Sequence, residues 1–329
     1  MQGEVRHERW KLAQPFVIAH ETYLNADVVV ATLRQGNRVG RGECTPTEFY
    51  GETIESTLAA ARDLVARWAA GEAWECIHDD TPAGAARNAV DCAVWDLRAK
   101  RAGKRAWELA GIPAPRAVRT ATTISVGDAQ HQAAQAQAMA IEAHGTPLIK
   151  LKLDAEDVAT RVAAVRAAAP GATLIVDANA SWDAALLAAL MPALRAANVA
   201  MIEQPLPAGA DAALAAIERL VPVCADESAH VGADLDALRG RYDLINVKLD
   251  KTGGLTEALR MAVRARELGF DLMVGCMEGT SLAMAPAMLI AGFARFVDLD
   301  GPLLIGRDRE HGLSYERGIV APPSVALWG

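Results

Sequence analysis

From about residue 118 the chain alternates between short apolar runs and alanine-rich stretches, and this alternation constrains the fold more than any other feature. The eight apolar runs cover residues 119–125, 148–153, 173–177, 199–203, 222–226, 244–249, 271–275 and 295–300. The stretches with helical spacing cover residues 128–144, 155–169, 183–197, 210–219, 232–239, 254–268 and 281–292. Such alternation predicts a parallel sheet, either closed into a barrel or open and doubly wound. We favour a (β/α)7β barrel of the TIM type over residues 116–306, because there are eight runs and because their ends are charged.

Residues 1–115 have a different pattern. A β-branched run at 27–33, the turn Gly36-Asn37 and a return run at 38–43 predict a hairpin. Residues 53–70 and 83–103 have apolar side chains at helical spacing and end at or next to glycine. Strands followed by helices predict a small α+β domain, and a length of 329 residues agrees with two domains.

Composition excludes several classes of protein. The hydrophobic fraction of 52% and charged fraction of 22% rule out disorder, and the net charge of −8 argues against nucleic-acid binding. Five widely spaced cysteines without a Cys-x-x-Cys pattern indicate neither a disulfide framework nor a zinc finger. The first eleven residues are too polar for a signal peptide, and no apolar run reaches the ~18 residues of a membrane span. We therefore expect a cytoplasmic enzyme.

Nearly all of the predicted strands end in ionisable residues. In a barrel, active-site groups come from the carboxyl ends of several strands. Any single Asp there is also explained as a turn former or helix cap. Caps do not explain the set, since Glu203 lies in Met-Ile-Glu-Gln-Pro, which is not a cap sequence. In chain order the set is Lys150, Lys152, Asp177, Glu203, Asp226, Lys248, Asp298 and Asp300.

Three of these carboxylates predict a metal site. Asp177, Glu203 and Asp226 end three successive predicted strands and would point into one barrel mouth. Three like charges so close raise one another's pKa unless a cation lies among them. Hard oxygen ligands suit Mg²⁺, and the lack of His at these strand ends disfavours zinc.

The lysines predict acid–base chemistry. Lys150 and Lys152 lie at i and i+2 on one strand and therefore face the same way. Two nearby ammonium groups depress each other's pKa, so that one lysine can act as a base. A lysine pair also protects exposed edge strands, but a closed barrel has no edge. Lys248 lies across the predicted barrel, so that a metal-bound carbon acid between Lys152 and Lys248 would meet one base on each face.

Taken together, the motifs resemble a known family. Lys-x-Lys (150–152), Asp-Ala-Asn (177–179), Glu-Gln-Pro (203–205), Asp-Glu-Ser (226–228), Asn-x-Lys (246–248) and the front segment Gly-Glu-Cys-Thr-Pro (42–46) resemble the muconate-lactonizing subgroup of the enolase superfamily. The resemblance covers essentially the whole chain. It implies that residues 1–115 are a capping domain, whose loops at about 16–25 and 46–53 close the barrel mouth, and that residues 307–329 return to the cap. It also implies 1,1-proton transfer through an enediolate by Lys152 and Lys248, with electrostatic help from Lys150.

Asp298-Leu299-Asp300 narrows the resemblance. An Asp-x-Asp on the last strand is similar to the dipeptide epimerases, where the pair binds the substrate's α-ammonium group. Two carboxylates that face one way suit an ammonium group, although a turn before Gly-Pro also explains them. Muconate cycloisomerases and o-succinylbenzoate synthases have no ammonium group to bind. The resemblance thus implies epimerisation of Ala-Glu or related dipeptides at the α-carbon of the C-terminal residue.

Residues around the mouth complete the predicted substrate site. The candidates are Thr123, His20, Tyr50, Met277 and Glu278. The first loop lacks the Arg that family members acting on Ala-Glu typically offer to the side-chain carboxylate; His20 and Glu21 lie there instead. Glu278 stands where the family usually has an apolar residue. Together with Glu21 and Glu48 it would favour a neutral or cationic substrate side chain, unless all three are solvated loop carboxylates.

Alternative functions remain open at this stage. One is an N-acyl amino acid racemase or a cycloisomerase on the same scaffold, and the other is a catalytically inactive barrel that serves as a binding protein. The complete set of two bases and three metal ligands argues against an inactive barrel. We expect a small-molecule dipeptide as partner, no nucleic acid and no membrane, and a homo-oligomer.

Overall fold

The computed structural model describes residues 1–143 and 146–329. Its front part is a three-stranded antiparallel sheet in the order β1-β2-β3, with strands β1 (Gln2–Val17), β2 (Thr22–Gln35) and β3 (Arg38–Cys44). Helices α1 (Ile54–Ala69) and α3 (Ala85–Ala102) cover one face of the sheet, and α2 (Trp74–Asp80) packs against both helices. The predicted hairpin and both predicted helices are confirmed. We refer to this part as the cap.

Strand β3 and helix α3 approach each other so closely that glycine is required at the contact. A Cβ atom on Gly40 would lie 2.2 Å from the Ala93 carbonyl oxygen, and one on Gly42 would lie 2.1 Å from that of Ala89. Real Cβ atoms do not come this close to backbone oxygens, so these two glycines set the distance between sheet and helix.

The remainder of the chain is the predicted barrel. After α4 (Ala106–Leu109) and β4 (Val118–Arg119) come eight parallel strands. They are β5 (Ala121–Ile124), β6 (Leu148–Lys152), β7 (Thr173–Asp177), β8 (Val199–Glu203), β9 (Val223–Ala225), β10 (Leu244–Val247), β11 (Asp271–Val274) and β12 (Phe296–Val297). The helices are α5 (Ala129–Glu142), α6 (Val158–Ala168), α7 (Ala184–Ala196), α8 (Leu235–Leu238), α9 (Leu249–Thr252), α10 (Leu255–Glu267), α11 (Ser281–Ala291) and α12 (Gly301–Leu304). Short 3₁₀ helices cover Glu48–Tyr50, Asp211–Ala216 and Gly232–Asp234.

Side-chain hydrogen bonds join the first and last barrel strands. The Leu299 amide donates to Thr120 Oγ1 at 2.9 Å, and the Thr123 amide donates to Asp300 Oδ2 at 2.7 Å. The eight-stranded sheet is thereby nearly closed, and the prediction of a (β/α) barrel with an α+β cap is confirmed.

One apolar side chain from each strand fills the base of the barrel interior. The eight residues are Ala121, Leu148, Ile175, Met201, Cys224, Leu244, Met273 and Phe296. Side chains two residues further along a strand point to the same face. Lys150, Asp177 and Glu203 follow members of this layer by two residues, so the barrel interior changes from apolar to charged towards the carboxyl ends of the strands.

Several elements differ from the sequence-based prediction. The last strand, expected at 295–300, covers only Phe296–Val297, so Asp298 and Asp300 follow the strand. The long strand β1 was not predicted, and it pairs with β2 so that most of the expected loop at 16–25 is the end of a hairpin, with Phe16 opposite Tyr23. The helix expected at 210–219 is the 3₁₀ segment Asp211–Ala216. The helix expected at 128–144 ends at Glu142, and residue 144 lies outside the described ranges.

The last residues of the chain lie against the cap. Strands β13 (Tyr315–Glu316) and β14 (Ile319–Val320) form a small sheet with β4. Trp328 Nε1 donates to the Cys92 carbonyl oxygen at 3.0 Å, and the Gly329 amide donates to Asp96 Oδ1 at 2.8 Å. In the described ranges, no helix is both long and apolar enough to cross a membrane.

Candidate active site

The structure brings all eight predicted strand-end residues together at the carboxyl ends of the barrel strands. None of the eight side chains belongs to a residue more than 7% exposed. Six of them line a cavity of about 430 Å³ between barrel and cap, while Asp177 and Glu203 contact the lysines that line it. The eight are Lys150, Lys152, Asp177, Glu203, Asp226, Lys248, Asp298 and Asp300.

Lys150 lies among three carboxylates. Its Nζ is 3.0 Å from Asp177 Oδ2, 2.7 Å from Glu203 Oε2 and 2.8 Å from Asp298 Oδ2. Lys152 Nζ donates to Asp177 Oδ2 at 2.7 Å. This arrangement results from the register of the adjacent strands β6, β7 and β8, in which Asp177 pairs with both Lys152 and Glu203.

Two further lysines surround Asp226 on the opposite side. Lys248 Nζ is 2.7 Å from Asp226 Oδ2, and Lys251 Nζ is 2.6 Å from Asp226 Oδ1. Lys251 was not among the predicted site residues, although it is only 2% exposed. Its position one turn after Lys248 on α9 was the available indication. Asn246 was quoted only as part of a motif, and its Nδ2 donates to Glu203 Oε1 at 2.7 Å.

The depressed pKa that was expected for the Lys150 and Lys152 pair is wrong for Lys150. Burial lowers the pKa of Lys150, but the charges of Asp298, Glu203 and Asp177 raise it well above its usual value. Burial likewise lowers the pKa of Lys248, and the Asp226 charge more than offsets this effect. The prediction considered the lysine pair alone and overlooked that carboxylates surround each ammonium group.

The pKa of each of the three carboxylates depends on how many ammonium groups that carboxylate contacts. Burial raises the pKa of Asp177 and Asp226, but Lys152 and Lys150 lower that of Asp177, and Lys248 and Lys251 lower that of Asp226, to below the usual range. Glu203 has fewer compensating contacts, and burial with the charge of Asp177 raises its pKa to about 7. The site thus has more negative charge than its lysines neutralise.

The chemistry of these three carboxylates fits a hard divalent cation. All the donors are oxygen, and buried Glu203 Oε2 and Asp226 Oδ1 make no hydrogen bond of acceptable geometry despite their nearby ammonium groups. The ammonium group of Lys150 lies between Asp177 and Glu203, so a positive charge already occupies the position between these two carboxylates. As the side chains stand, no three acidic, His or Cys residues within 1–143 and 146–329 converge closely enough to hold an ion. A cation would therefore draw the carboxylates away from the lysines.

Asp298 and Asp300 both line the cavity after β12. Asp298 accepts from Lys150 through Oδ2, while its Oδ1 is buried without a hydrogen-bond partner. Asp300 accepts from the Thr123 amide, and burial with the charge of Asp298 raises the pKa of Asp300 to about 7. Thr123 therefore acts here through its backbone. The pair leaves carboxylate oxygens available to an ammonium group.

The roof of the cavity is formed by His20 and Tyr50 of the cap and by Met277 and Glu278 of the barrel loop after β11. His20 Nε2 lies 2.9 Å from the Asn179 carbonyl oxygen, so the first cap loop reaches the end of β7. The Tyr50 ring meets the His230 ring edge-on at 4.8 Å. Tyr23, which the sequence analysis did not single out, also lines the cavity and donates to Glu21 Oε2 at 2.6 Å.

The loop after β11 is bonded to the cap. Thr45 Oγ1 of the cap donates to the Glu278 carbonyl oxygen at 2.8 Å. Buried Glu43 at the end of β3 accepts from the Thr280 amide at 2.7 Å and from Arg309 Nη2 at 2.6 Å. These contacts fix the backbone on which Glu278 stands.

Fold and site together define a barrel protein with an active site built from charged residues at strand ends. The protein-family model described as Enolase C-terminal domain-like matches residues 131–325. The family model of the Mandelate racemase / muconate lactonizing enzyme N-terminal domain matches residues 1–111. The chain therefore belongs to the mandelate racemase / muconate lactonizing enzyme family of the enolase superfamily, which confirms the resemblance.

Relatives of this chain are epimerases and racemases, which are isomerases. The L-Ala-D/L-Glu epimerase of Escherichia coli is 46% identical over 96% of this chain and 98% of its own length. The N-acetyl-D-glutamate racemase of a Pseudoalteromonas species is 42% identical over 92% and 95%. An Agrobacterium tumefaciens enolase family member, solved with sodium and L-Ala-L-Glu, is 48% identical with a TM-score of 0.96 over 99% of each chain.

Proposed function

We propose that this protein is a Mg²⁺-dependent dipeptide epimerase acting on L-Ala-D/L-Glu or related dipeptides. The observation that supports it most is the placement of Lys152 and Lys248. They stand on β6 and after β10, four places apart among eight strands, and both line one cavity. Two bases on opposite faces of one α-carbon are what inversion by proton transfer requires.

Asp177, Glu203 and Asp226 would hold the metal. When bound, Mg²⁺ supplies positive charge to the substrate carboxylate and so makes the neighbouring α-proton more acidic. Lys152 removes or returns that proton on one face through Nζ, and Lys248 does the same on the other face. Lys150, which touches Asp177, Glu203 and Asp298, adds positive charge next to the carboxylate without moving the proton.

Asp298 and Asp300 would bind the α-ammonium group of the dipeptide. The free Oδ1 of Asp298 and the carboxyl group of Asp300 supply acceptors, and Thr123 holds Asp300 in place through its amide. An N-acyl amino acid lacks this ammonium group, so the pair favours dipeptides over the substrate type of the racemase relative. His20, Tyr50, Met277 and Glu278 would enclose the rest of the substrate.

Exchange of the α-proton tests the function directly. A library of L,L-dipeptides is incubated with the Mg²⁺-loaded protein in D₂O, and deuterium at the α-carbon of the C-terminal residue is followed by NMR. We expect exchange and epimerisation for a subset of the library. If no dipeptide exchanges while an N-acyl amino acid does, the racemase alternative replaces the epimerase. Cytoplasmic location and homo-oligomerisation stay predictions.

A further inference from the structure

The charges around the cavity are strongly unbalanced. Its described lining contains ten Asp and Glu side chains and three Lys side chains, with no Arg among them. The three lysines, Lys150, Lys152 and Lys248, are each paired with at least one carboxylate at N–O distances of 2.7 to 3.0 Å. A substrate side chain with a carboxylate would therefore meet no Lys or Arg of the described lining that lacks a carboxylate partner.

Part of the cavity is left for the substrate side chain once the proposed contacts are made. In the proposed function Asp177, Glu203 and Asp226 would hold the metal that binds the substrate carboxylate, and the ammonium group would face the end of β12. The α-carbon then lies between Lys152 and Lys248, at the carboxyl ends of the barrel strands. The side chain of the C-terminal residue consequently points to the roof, where Tyr23, Glu21 and Glu278 line the cavity.

Around Glu278 the roof presents hydrogen-bond acceptors. The Tyr23 hydroxyl donates its hydrogen to Glu21 Oε2, which leaves only lone pairs on its oxygen. Glu278 is close enough for its charge to act on the Tyr23 hydroxyl, since burial, the bond to Glu21 and the charge of Glu278 all raise the pKa of Tyr23. The Glu278 carboxylate makes no ion pair or hydrogen bond with any residue in the described ranges.

The backbone at Glu278 is held in place. Its carbonyl oxygen accepts from Thr45, and two residues later the Thr280 amide donates to Glu43, so the loop backbone is bonded to the cap at two points. The residue is partly buried, and bringing a second carboxylate next to it in a partly buried cavity is unfavourable.

We infer that Glu278 determines substrate specificity and that the enzyme prefers dipeptides whose C-terminal side chain is cationic over those whose side chain is a carboxylate. This inference rests on the proposed function; within its substrate class it favours related dipeptides with a cationic side chain over L-Ala-D/L-Glu. A Lys side chain would reach the roof with three N–H donors, which match the oxygens of Glu278, Glu21 and Tyr23.

The test compares three dipeptides that differ in charge, L-Ala-L-Lys, L-Ala-L-Gln and L-Ala-L-Glu. For each, kcat/KM of α-proton exchange in D₂O is measured with the Mg²⁺-loaded wild-type protein and with Glu278→Gln, which keeps the side-chain shape. We expect the wild type to favour L-Ala-L-Lys over L-Ala-L-Glu by roughly tenfold or more. Glu278→Gln should reduce that ratio by roughly tenfold, with L-Ala-L-Gln measured in parallel as the neutral reference.

Glu310→Gln serves as the matched control, because it removes the same charge from a side chain that is 90% exposed outside the cavity. The ratio of kcat/KM for L-Ala-L-Lys to kcat/KM for L-Ala-L-Glu should be the same in Glu310→Gln as in the wild type. A wild-type preference for L-Ala-L-Glu, or an unchanged ratio in Glu278→Gln, would overturn the inference. Calorimetric binding of the same dipeptides separates the two proposals: absence of all exchange refutes the epimerase, while the order of binding affinities still decides the charge preference.

Discussion

Lys152 and Lys248 stand half a barrel apart, and each forms an ion pair with a different carboxylate, Asp177 for Lys152 and Asp226 for Lys248. The two ammonium groups therefore approach the cavity from opposite sides with separate partners. This arrangement makes the role of each lysine separable by mutation.

Replacing one lysine should leave the exchange chemistry of the other. We expect Lys248→Ala to abolish epimerisation while still exchanging the α-proton of one stereoisomer, and Lys152→Ala to exchange only the opposite one. Loss of a positioned base lowers the rate of its own half-reaction by about 10²–10⁴-fold. NMR in D₂O with each stereoisomer measures this, and equal exchange from both isomers in either variant would refute the two-base assignment.

Asp298→Asn should discriminate between substrate types. The variant removes a charged acceptor for the substrate ammonium group and also disturbs Lys150, which is a neighbour of Asp298. The second effect lowers kcat/KM for all substrates, whereas the first lowers it only for dipeptides, by roughly tenfold more than for N-acetyl amino acids. An equal loss for both substrate types would remove the argument for an ammonium site.

Mg²⁺ should stabilise the fold as well as support activity. Chelator treatment is expected to stop α-proton exchange, and Mg²⁺ should restore it. Because the ion binds the folded state, a concentration of about 100 times Kd adds roughly 2.7 kcal/mol to the free energy of unfolding, visible as a higher Tm. Glu203→Gln should lose most of this shift, and an unchanged Mg²⁺-dependent Tm in that variant would contradict the assignment.

Asp250 should make stability depend on pH. It is 7% exposed at the contact of barrel and cap, accepts from the Thr45 amide and Asn88 Nδ2 at 2.9 Å each, and burial raises its pKa to about 7. In the unfolded chain the pKa is near 3.8. The folded state binds the extra proton between about pH 4 and 7, so this carboxyl lowers the free energy of unfolding as pH rises through that window.

Asp250→Asn mimics the protonated carboxyl and should remove that slope. The free energy of unfolding of Asp250→Asn, relative to that of the wild type, should increase by on the order of 3 kcal/mol between pH 4 and pH 8. Urea denaturation at each pH measures this difference. Asp63→Asn, on the exposed face of α1, is the control and should keep the wild-type slope. Parallel pH profiles for wild type and Asp250→Asn would show that Asp250 does not titrate in this window.

Gly42→Ala should damage the cap. The added Cβ would collide with the Ala89 carbonyl oxygen at 2.1 Å, and forcing β3 and α3 apart costs about 1–3 kcal/mol of unfolding free energy. Gly171→Ala adds the same methyl group where nothing lies within 4 Å, so its Tm should stay close to that of the wild type or rise slightly. Similar losses in both variants would show that the close approach is not the cause.

The sequence predicted the barrel well because its periodic pattern is local. Thr173–Asp177 and Val199–Glu203 begin and end at the predicted residues, since each buried strand is a short apolar run with a charged end. Strand β1 escaped prediction because only Val5, Leu12 and Phe16 along it are buried, too few for a periodic signal. Its extended form depends on pairing with β2 and not on its own composition.

The identity of the site residues was predictable, but their charge states were not. Position at a strand end selects Lys150 and Glu203 from sequence alone. The raised pKa of Lys150, in contrast, depends on Asp298, which is 148 positions away in the chain. The placement of Lys251 beside Asp226 likewise requires the turn of α9, which no periodic pattern specifies.

The hydrogen bonds of Glu43 affect how the substrate specificity of this protein can evolve. Glu43 ties the cap to Thr280 and Arg309, and the same loop holds Glu278 over the substrate cavity. A mutation that reshapes the roof to admit a new side chain therefore also alters the cohesion between the two halves of the molecule. New specificities are easier to reach by exchanging the side chain of Glu278 itself than by moving the loop on which it stands.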